Sequence, residues 1–168
     1  MTWELDEQLP ASRPEGRVLG VDLGSRRIGL AVSDDQRRVA SALVMLPRGG
    51  SREGDHSRLE AVVLETGANM VVVGLPLSLS GGTGPAARAV EAEVAELRLA
   101  LSVPVECCDE RFSTVIARRA LVAGGRRPAA RTAVVDKMAA AAILQTWLDR
   151  RRAWPGPKEP QAGPANPQ

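Results

Sequence analysis

Four carboxylates stand where an acid is expensive to place. Asp22 closes the apolar run Val18-Leu19-Gly20-Val21 and is followed by Leu23-Gly24. Asp109 and Glu110 close a second run, Pro104–Cys108. Asp136 opens a stripe in which Ala140, Ile143 and Trp147 recur at helical spacing. A charge among such neighbours is costly unless it is paired or binds a cation. Carboxylates that converge within a few ångströms repel one another and stay ionised only when cations hold them together. Oxygen donors without His or Cys beside them suit Mg²⁺ or Mn²⁺. Two such ions would activate a water and stabilise a leaving oxygen, which is the chemistry of phosphodiester hydrolysis. Asp136 has a second account, because an acid in a helix's first turn can be satisfied by the dipole and local N–H groups. His56, the single histidine, falls in a polar stretch and reads as a mobile surface residue rather than a ligand.

Basic residues flank these acids. Arg26 and Arg27 follow Asp22, and Arg126, Arg127 and Arg131 precede Asp136. An acidic centre with basic flanks suits a phosphate backbone gripped around a metal site. A solvated basic loop is the plain alternative. Ser80-Gly81-Gly82-Thr83-Gly84 runs into a helix, where glycines leave backbone N–H groups for a phosphate. It lacks the lysine of a P-loop, so a nucleoside triphosphate is not indicated. Arg150-Arg151-Arg152 lies where helix C-termini favour cations and needs no further role.

The elements that must position these groups read as follows. Val18–Leu23, Ile28–Ser33 and Val39–Leu46 are strands joined by turns too short for anything but antiparallel neighbours. Pro47 to Asp55 is polar and reads as mobile. Helix and strand then alternate: a short helix Ser57–Thr66, a strand Met70–Val73, a loop Gly74–Gly84, a helix Pro85–Leu101 and a strand Pro104–Cys108. Ser113 reads as the N-cap of a helix ending at Gly124-Gly125. Arg126–Arg131 reads as a basic link, and the last helix covers Thr132–Arg151. The expected class is α/β, a five-stranded mixed sheet with helices on both faces. If the first strand is central, Asp22 and the Asp109-Glu110 pair emerge at one edge, at the carboxyl ends of strands.

Composition sets the outer limits. The chain has 168 residues, which indicates one domain. Residues 1–16 and the proline-rich 154–168 read as disordered tails, leaving 17–153 as the folded unit. The net charge is +2, and the N-terminal tail holds Glu4, Asp6, Glu7 and Glu15 against Arg13, so the folded part is more basic than the whole. That suits a polyanion without being diagnostic. With no Tyr, one Phe and three Trp, a base-stacking surface is not expected. Cys107 and Cys108 are adjacent, a poor intrachain disulfide pair. No signal peptide or membrane-length apolar run is visible, so the expectation is a cytoplasmic protein with reduced thiols.

Four blocks, in order, resemble one family. Gly20-Val21-Asp22-Leu23-Gly24 with Arg27-Ile28-Gly29-Leu30-Ala31-Val32-Ser33-Asp34 resembles the opening motif of the YqgF/RuvX family. Val73–Leu77 with Gly82-Thr83-Gly84 resembles its second motif. Asp109-Glu110-Arg111-Phe112-Ser113-Thr114 with Ala117 resembles its third. Asp136 with Ala139-Ala140, Ile143-Leu144-Gln145 and Leu148 resembles its fourth. Phe112 departs from the aliphatic residue expected there. The resemblance implies an RNase H-like fold and a metal-dependent nuclease, described either as a Holliday junction resolvase or as a nuclease maturing the 5′ end of precursor 16S rRNA. It implies Asp22, Glu110 and Asp136 as catalytic, metal-binding carboxylates, with Asp109 the alternative to Glu110, and Mg²⁺ or Mn²⁺ as cofactor. Arg26, Arg27, Arg111, Arg126, Arg127, Arg131, Gly82 and Thr83 are the candidates for holding nucleic acid. A four-way junction would call for a homodimer. Two other readings stand beside this one: a non-catalytic nucleic-acid or ribosome-associated module, and a relative of actin-like phosphotransferases, which need two such domains.

Overall fold

The fold follows from strands that alternate and helices that cover both resulting faces. The computed structural model describes residues 16–78, 80–111 and 128–153, with side chains of the last stretch from 138 onward. Residues 1–15 and 154–168 of the expected tails, the expected helix from Ser113, and Arg126 and Arg127 lie outside the described residues, while Gly16, expected in the first tail, is bonded to Asp35 and Arg37. The elements are β1 (Val18–Leu23), β2 (Arg27–Ser33), β3 (Ala40–Pro47), α1 (Arg52–Thr66), β4 (Met70–Leu75), α2 (Pro85–Ala100), β5 (Val105–Asp109) and α3 (Pro128–Ala153). They build one sheet in the order β3-β2-β1-β4-β5. β1 and β2, and β2 and β3, run antiparallel; β4 is parallel to β1 and β5 to β4. β1 is therefore central.

Strand alternation assigns each residue to a layer. Leu19, Val21 and Leu23 of β1, with Val71 and Val73 of β4, pack under Leu59 and Val63 of α1 and Val90, Val94 and Leu97 of α2. Val18, Val72 and Cys108 face the other way, onto Ala140, Ile143, Leu144, Trp147 and Leu148 of α3. Gly20 lets α3 approach closely. A Cβ there would come within 2.7 Å of Leu144 Cβ and 3.1 Å of the Ala140 carbonyl oxygen.

Two sequence expectations change. The polar segment after β3 is not a mobile link, because α1 begins at Arg52 instead of Ser57. Ser51 caps it, its hydroxyl accepting from the Gly54 N–H, and Gly67 closes it in the left-handed region at φ 67°. His56 is accordingly buried on α1, not on a mobile surface, with Nε2 3.5 Å from Glu93 Oε1. The last helix also begins earlier than expected, at Pro128, so Arg131 belongs to it. Asp136 then lies more than two turns inside α3. The helix-terminus account of that residue fails, since the dipole's influence fades within the first turn.

Candidate active site

The site forms where β1, β4 and β5 end. Alternation puts Gly20 and Asp22 of β1 on the α3 face, and the parallel register brings Val21 beside Val73, so Asp22 neighbours Gly74. Gly74 in turn pairs with Cys108 of β5. Two residues past Cys108, Glu110 has the same parity and turns onto the same face. Its backbone N–H donates to the Leu75 carbonyl at 3.1 Å, which ties the end of β5 to β4.

Gly74 is the space between the two acids. A Cβ at this position would run into Glu110 Oε1, lie 2.9 Å from Glu110 Cγ and 2.5 Å from Ile143 Cδ1. With only hydrogen there, the Glu110 side chain lies over the strand and reaches Asp22. The two carboxyls are in hydrogen-bonding contact. Burial, then the Asp22 charge and hydrogen bond, then Asp109, push the Glu110 carboxyl up to about 7. Sequence reasoning named both acids but not Gly74 as part of the site. The available signal was a glycine inside the otherwise apolar strand Met70–Leu75.

Asp109 and Glu110 part company by the same alternation. Asp109 Oδ1 accepts from the Arg111 N–H at 3.0 Å and its Oδ2 from Arg111 Nε at 2.8 Å and Nη2 at 2.5 Å. Burial raises the Asp109 carboxyl, but the Arg111 bonds outweigh it and hold the group below the usual carboxylate range. Asp136 lies on α3 one turn before Ala140, and its side chain is outside the described residues. Among the described residues no group of three or more His, Cys, Asp or Glu is arranged to hold a metal.

The candidate nucleic-acid residues divide. Arg26 and Arg27 are exposed at the β1–β2 turn, next to the end of β1 that carries Asp22. The loop after β4 opens on the same edge. There Ser78 Oγ accepts from the Gly82 N–H at 2.9 Å and the Ser78 carbonyl accepts from the Gly81 N–H at 2.8 Å. The Gly82 amide is thus engaged within the loop instead of being presented to a phosphate. Thr83 is exposed, its carbonyl accepting from Arg88 Nη1 at 3.1 Å. Arg111 reaches this loop, with Nη1 3.4 Å from the position of a Cβ on Gly81. Arg126 and Arg127, and the side chain of Arg131, lie outside the described residues. No described helix is long and apolar enough to cross a membrane. Both cysteines are free thiols, Cys107 exposed and Cys108 buried against α3.

Comparison with known proteins places this geometry. Residues 16–150 match the family described as "RuvX: Holliday junction resolvase". A protein of Mycolicibacterium paratuberculosis named "Putative pre-16S rRNA nuclease" is 46% identical over 82% of this chain and 83% of its own length. A Geobacillus kaustophilus protein of the same name is 44% identical over 81% of this chain and 99% of its own. Thermus thermophilus RuvC, solved with a Holliday junction substrate, shares the fold with a TM-score of 0.51 at 21% identity, over 82% of this chain and 96% of that one. The chain belongs to the RuvX family, and it is a nuclease built on an RNase H-like α/β sheet.

Proposed function

We propose that Asp22, Glu110 and Asp136 hold Mg²⁺ or Mn²⁺ and that the chain hydrolyses phosphodiester bonds at the 5′ end of the 16S rRNA precursor. The observation that carries this reading is the meeting of Asp22 and Glu110 over Gly74 at the carboxyl edge of the central strands. Two carboxyls set against each other compete for a proton, and a divalent cation can take the proton's place. An all-oxygen donor set fits Mg²⁺ or Mn²⁺. A cation bound there would polarise the scissile phosphate and ease deprotonation of the attacking water. Arg26 and Arg27 on one side and Thr83 with Arg111 on the other would steer the phosphate backbone to the acids. Asp109 serves by fixing Arg111.

The relatives above 40% identity carry the ribosomal name, which favours the rRNA precursor. The family description favours a second substrate, a four-way DNA junction, for which two sites in a homodimer would be required. The test is cleavage of both substrates side by side in Mg²⁺ and Mn²⁺, with the oligomeric state measured in the same buffer. Asp22→Asn should abolish cleavage while the protein stays folded and still binds RNA. Full activity in that variant would refute the reading.

A further inference from the structure

Arg48, just past β3, makes a set of bonds that the site described so far does not include. Its backbone N–H donates to the Arg26 carbonyl at 2.9 Å. Its Nε donates to the Gly24 carbonyl, also at 2.9 Å. The rest of the guanidinium points away from the turn. Nη1 and Nη2 donate to Glu93 Oε1 and Oε2 at 2.6 and 3.0 Å, and Nη1 lies 3.3 Å from Asp55 Oδ2. Glu93 belongs to α2 and Asp55 to α1, and both are nearly fully buried. Asp55 is itself fixed by the Gly49 N–H at 2.8 Å and by Arg58.

We infer that Arg48 is a positioning residue: anchored by Glu93 and Asp55 on the helices of one face, it fixes the β1–β2 turn and so sets Asp22 and Arg26 in place on the other. The turn is short. Asp22 precedes Gly24 by two residues, and the Gly24 N–H already bends back to the Asp22 carbonyl at 3.1 Å. Arg48 thus bonds this turn at two points, its side chain at the Gly24 carbonyl and its backbone N–H at the Arg26 carbonyl. One side chain thus joins α1, α2, β3 and the turn that carries the acid. The arrangement needs the guanidinium fork. A lysine has the charge but cannot chelate Glu93 and bond the Gly24 carbonyl at once. Misplacement of a reacting group by about 1 Å costs on the order of a hundredfold in rate, so a small shift in the turn is enough to be seen.

The inference rests on the proposed role of Asp22, and the experiment separates the two. Wild type, D22N, R48K, E93Q and E96Q are assayed on a precursor 16S rRNA 5′-leader RNA and on a four-way DNA junction in Mg²⁺. In parallel, backbone hydrogen exchange is followed in residues 22–27 and in β4. R48K and E93Q should lose roughly ten- to a hundredfold in kcat with KM within about threefold. Exchange should quicken more in residues 22–27 than in β4. E96Q, which breaks the exposed Arg52–Glu96 pair, should match wild type in both measurements. Folded R48K and E93Q with wild-type kcat and wild-type exchange in the turn would overturn the inference. So would exchange that quickens equally in the turn and in β4, since that is loss of general stability. If R48K fails to fold, E93Q keeps Arg48 in place and reads the same anchor. If wild type cleaves neither substrate, the nuclease reading of Asp22 fails while the exchange measurement still decides the role of Arg48.

Discussion

Two carboxylate pairs lie on opposite faces of the sheet, and one turn separates them. Asp55 of α1 and Glu93 of α2 are buried, and Asp22 and Glu110, on the α3 face, are half-buried. Burial pushes the carboxyls of the first pair up. For Asp55 the Gly49 N–H, Arg58 and Arg48 outweigh it, and for Glu93 chiefly Arg48 does, so both end below the usual range. On the other face the neighbours add to burial: Asp22 and Asp109 both raise Glu110, which reaches about 7. The residue type is the same. What differs is whether the surroundings oppose the desolvation cost or add to it. A matched pair holds elements together, while an opposed pair stores a conflict that a cation can resolve.

The largest effect should come from removing the conflict. Glu110→Gln keeps the shape and deletes the charge. Cleavage should fall by roughly a thousandfold, several kcal/mol of transition-state stabilisation. The same change should stabilise the protein in chelator. The Glu110 carboxyl rises from an ordinary 4.5 to about 7 on folding, so its proton-linked stability is fully present below 4.5 and lost as pH rises through about 7. Glutamine escapes that loss. Thermal melts in EDTA should therefore show E110Q gaining on wild type between pH 5 and pH 8. A difference that stays flat across that range would mean the two acids are not opposed.

The converse experiment removes the match on the other face. Arg48→Ala leaves Asp55 and Glu93 buried without their shared cation, which should cost about 3–5 kcal/mol in urea unfolding at pH 7. Both carboxyls sit below their ordinary values of 3.8 and 4.5. Their contribution is present above those values and lost as pH falls through the lower folded-state values. The R48A penalty should shrink at pH 3. An equal penalty at both pH values would assign the loss to packing of the arginine stem.

A third change tests the spacing that brings the site acids together. Gly74→Ala places a methyl group against Glu110 and Ile143. Overpacking of this kind costs about 1–3 kcal/mol. Glu110 is the more mobile neighbour and should turn away from Asp22, so cleavage falls by more than the stability loss explains. A G74A crystal structure with Glu110 still against Asp22 would break the argument.

How much of this the sequence reveals differs between the two pairs. The strands themselves are legible from local apolar patterning, and alternation with period two sets the face of each residue, but the central place of β1, which brings Asp22 and Glu110 to one edge, comes from long-range pairing. The stripe Ala140, Ile143 and Trp147 is likewise readable and is buried in the fold. Alternation separates Asp109 from Glu110 in the sequence, while the Arg111 contact that engages Asp109 is seen only in the fold. The Arg48 network was invisible because Arg48 and Glu93 lie 45 residues apart and leave no periodic trace. The polar run after β3 concealed it further. Ser51 with Glu53 and Asp55 is a legible helix start, but Gly49, Gly50 and Gly54 around it read as a loop. His56 went astray with that helix.

The smallest effect sharpens the comparison from a third position. Arg52 and Glu96 join α1 to α2 as Arg48 and Glu93 do, at 2.7 Å, yet the side chains are 47% and 48% exposed. Water already solvates both charges there, so the pair gains little from meeting and strands little when broken. E96Q should cost about 0.2–1 kcal/mol, and less at high salt. Urea titrations of E96Q and R48A in low and high salt would place the two pairs on one scale. A cost for E96Q near that of R48A would mean that burial does not govern what an ion pair contributes in this fold.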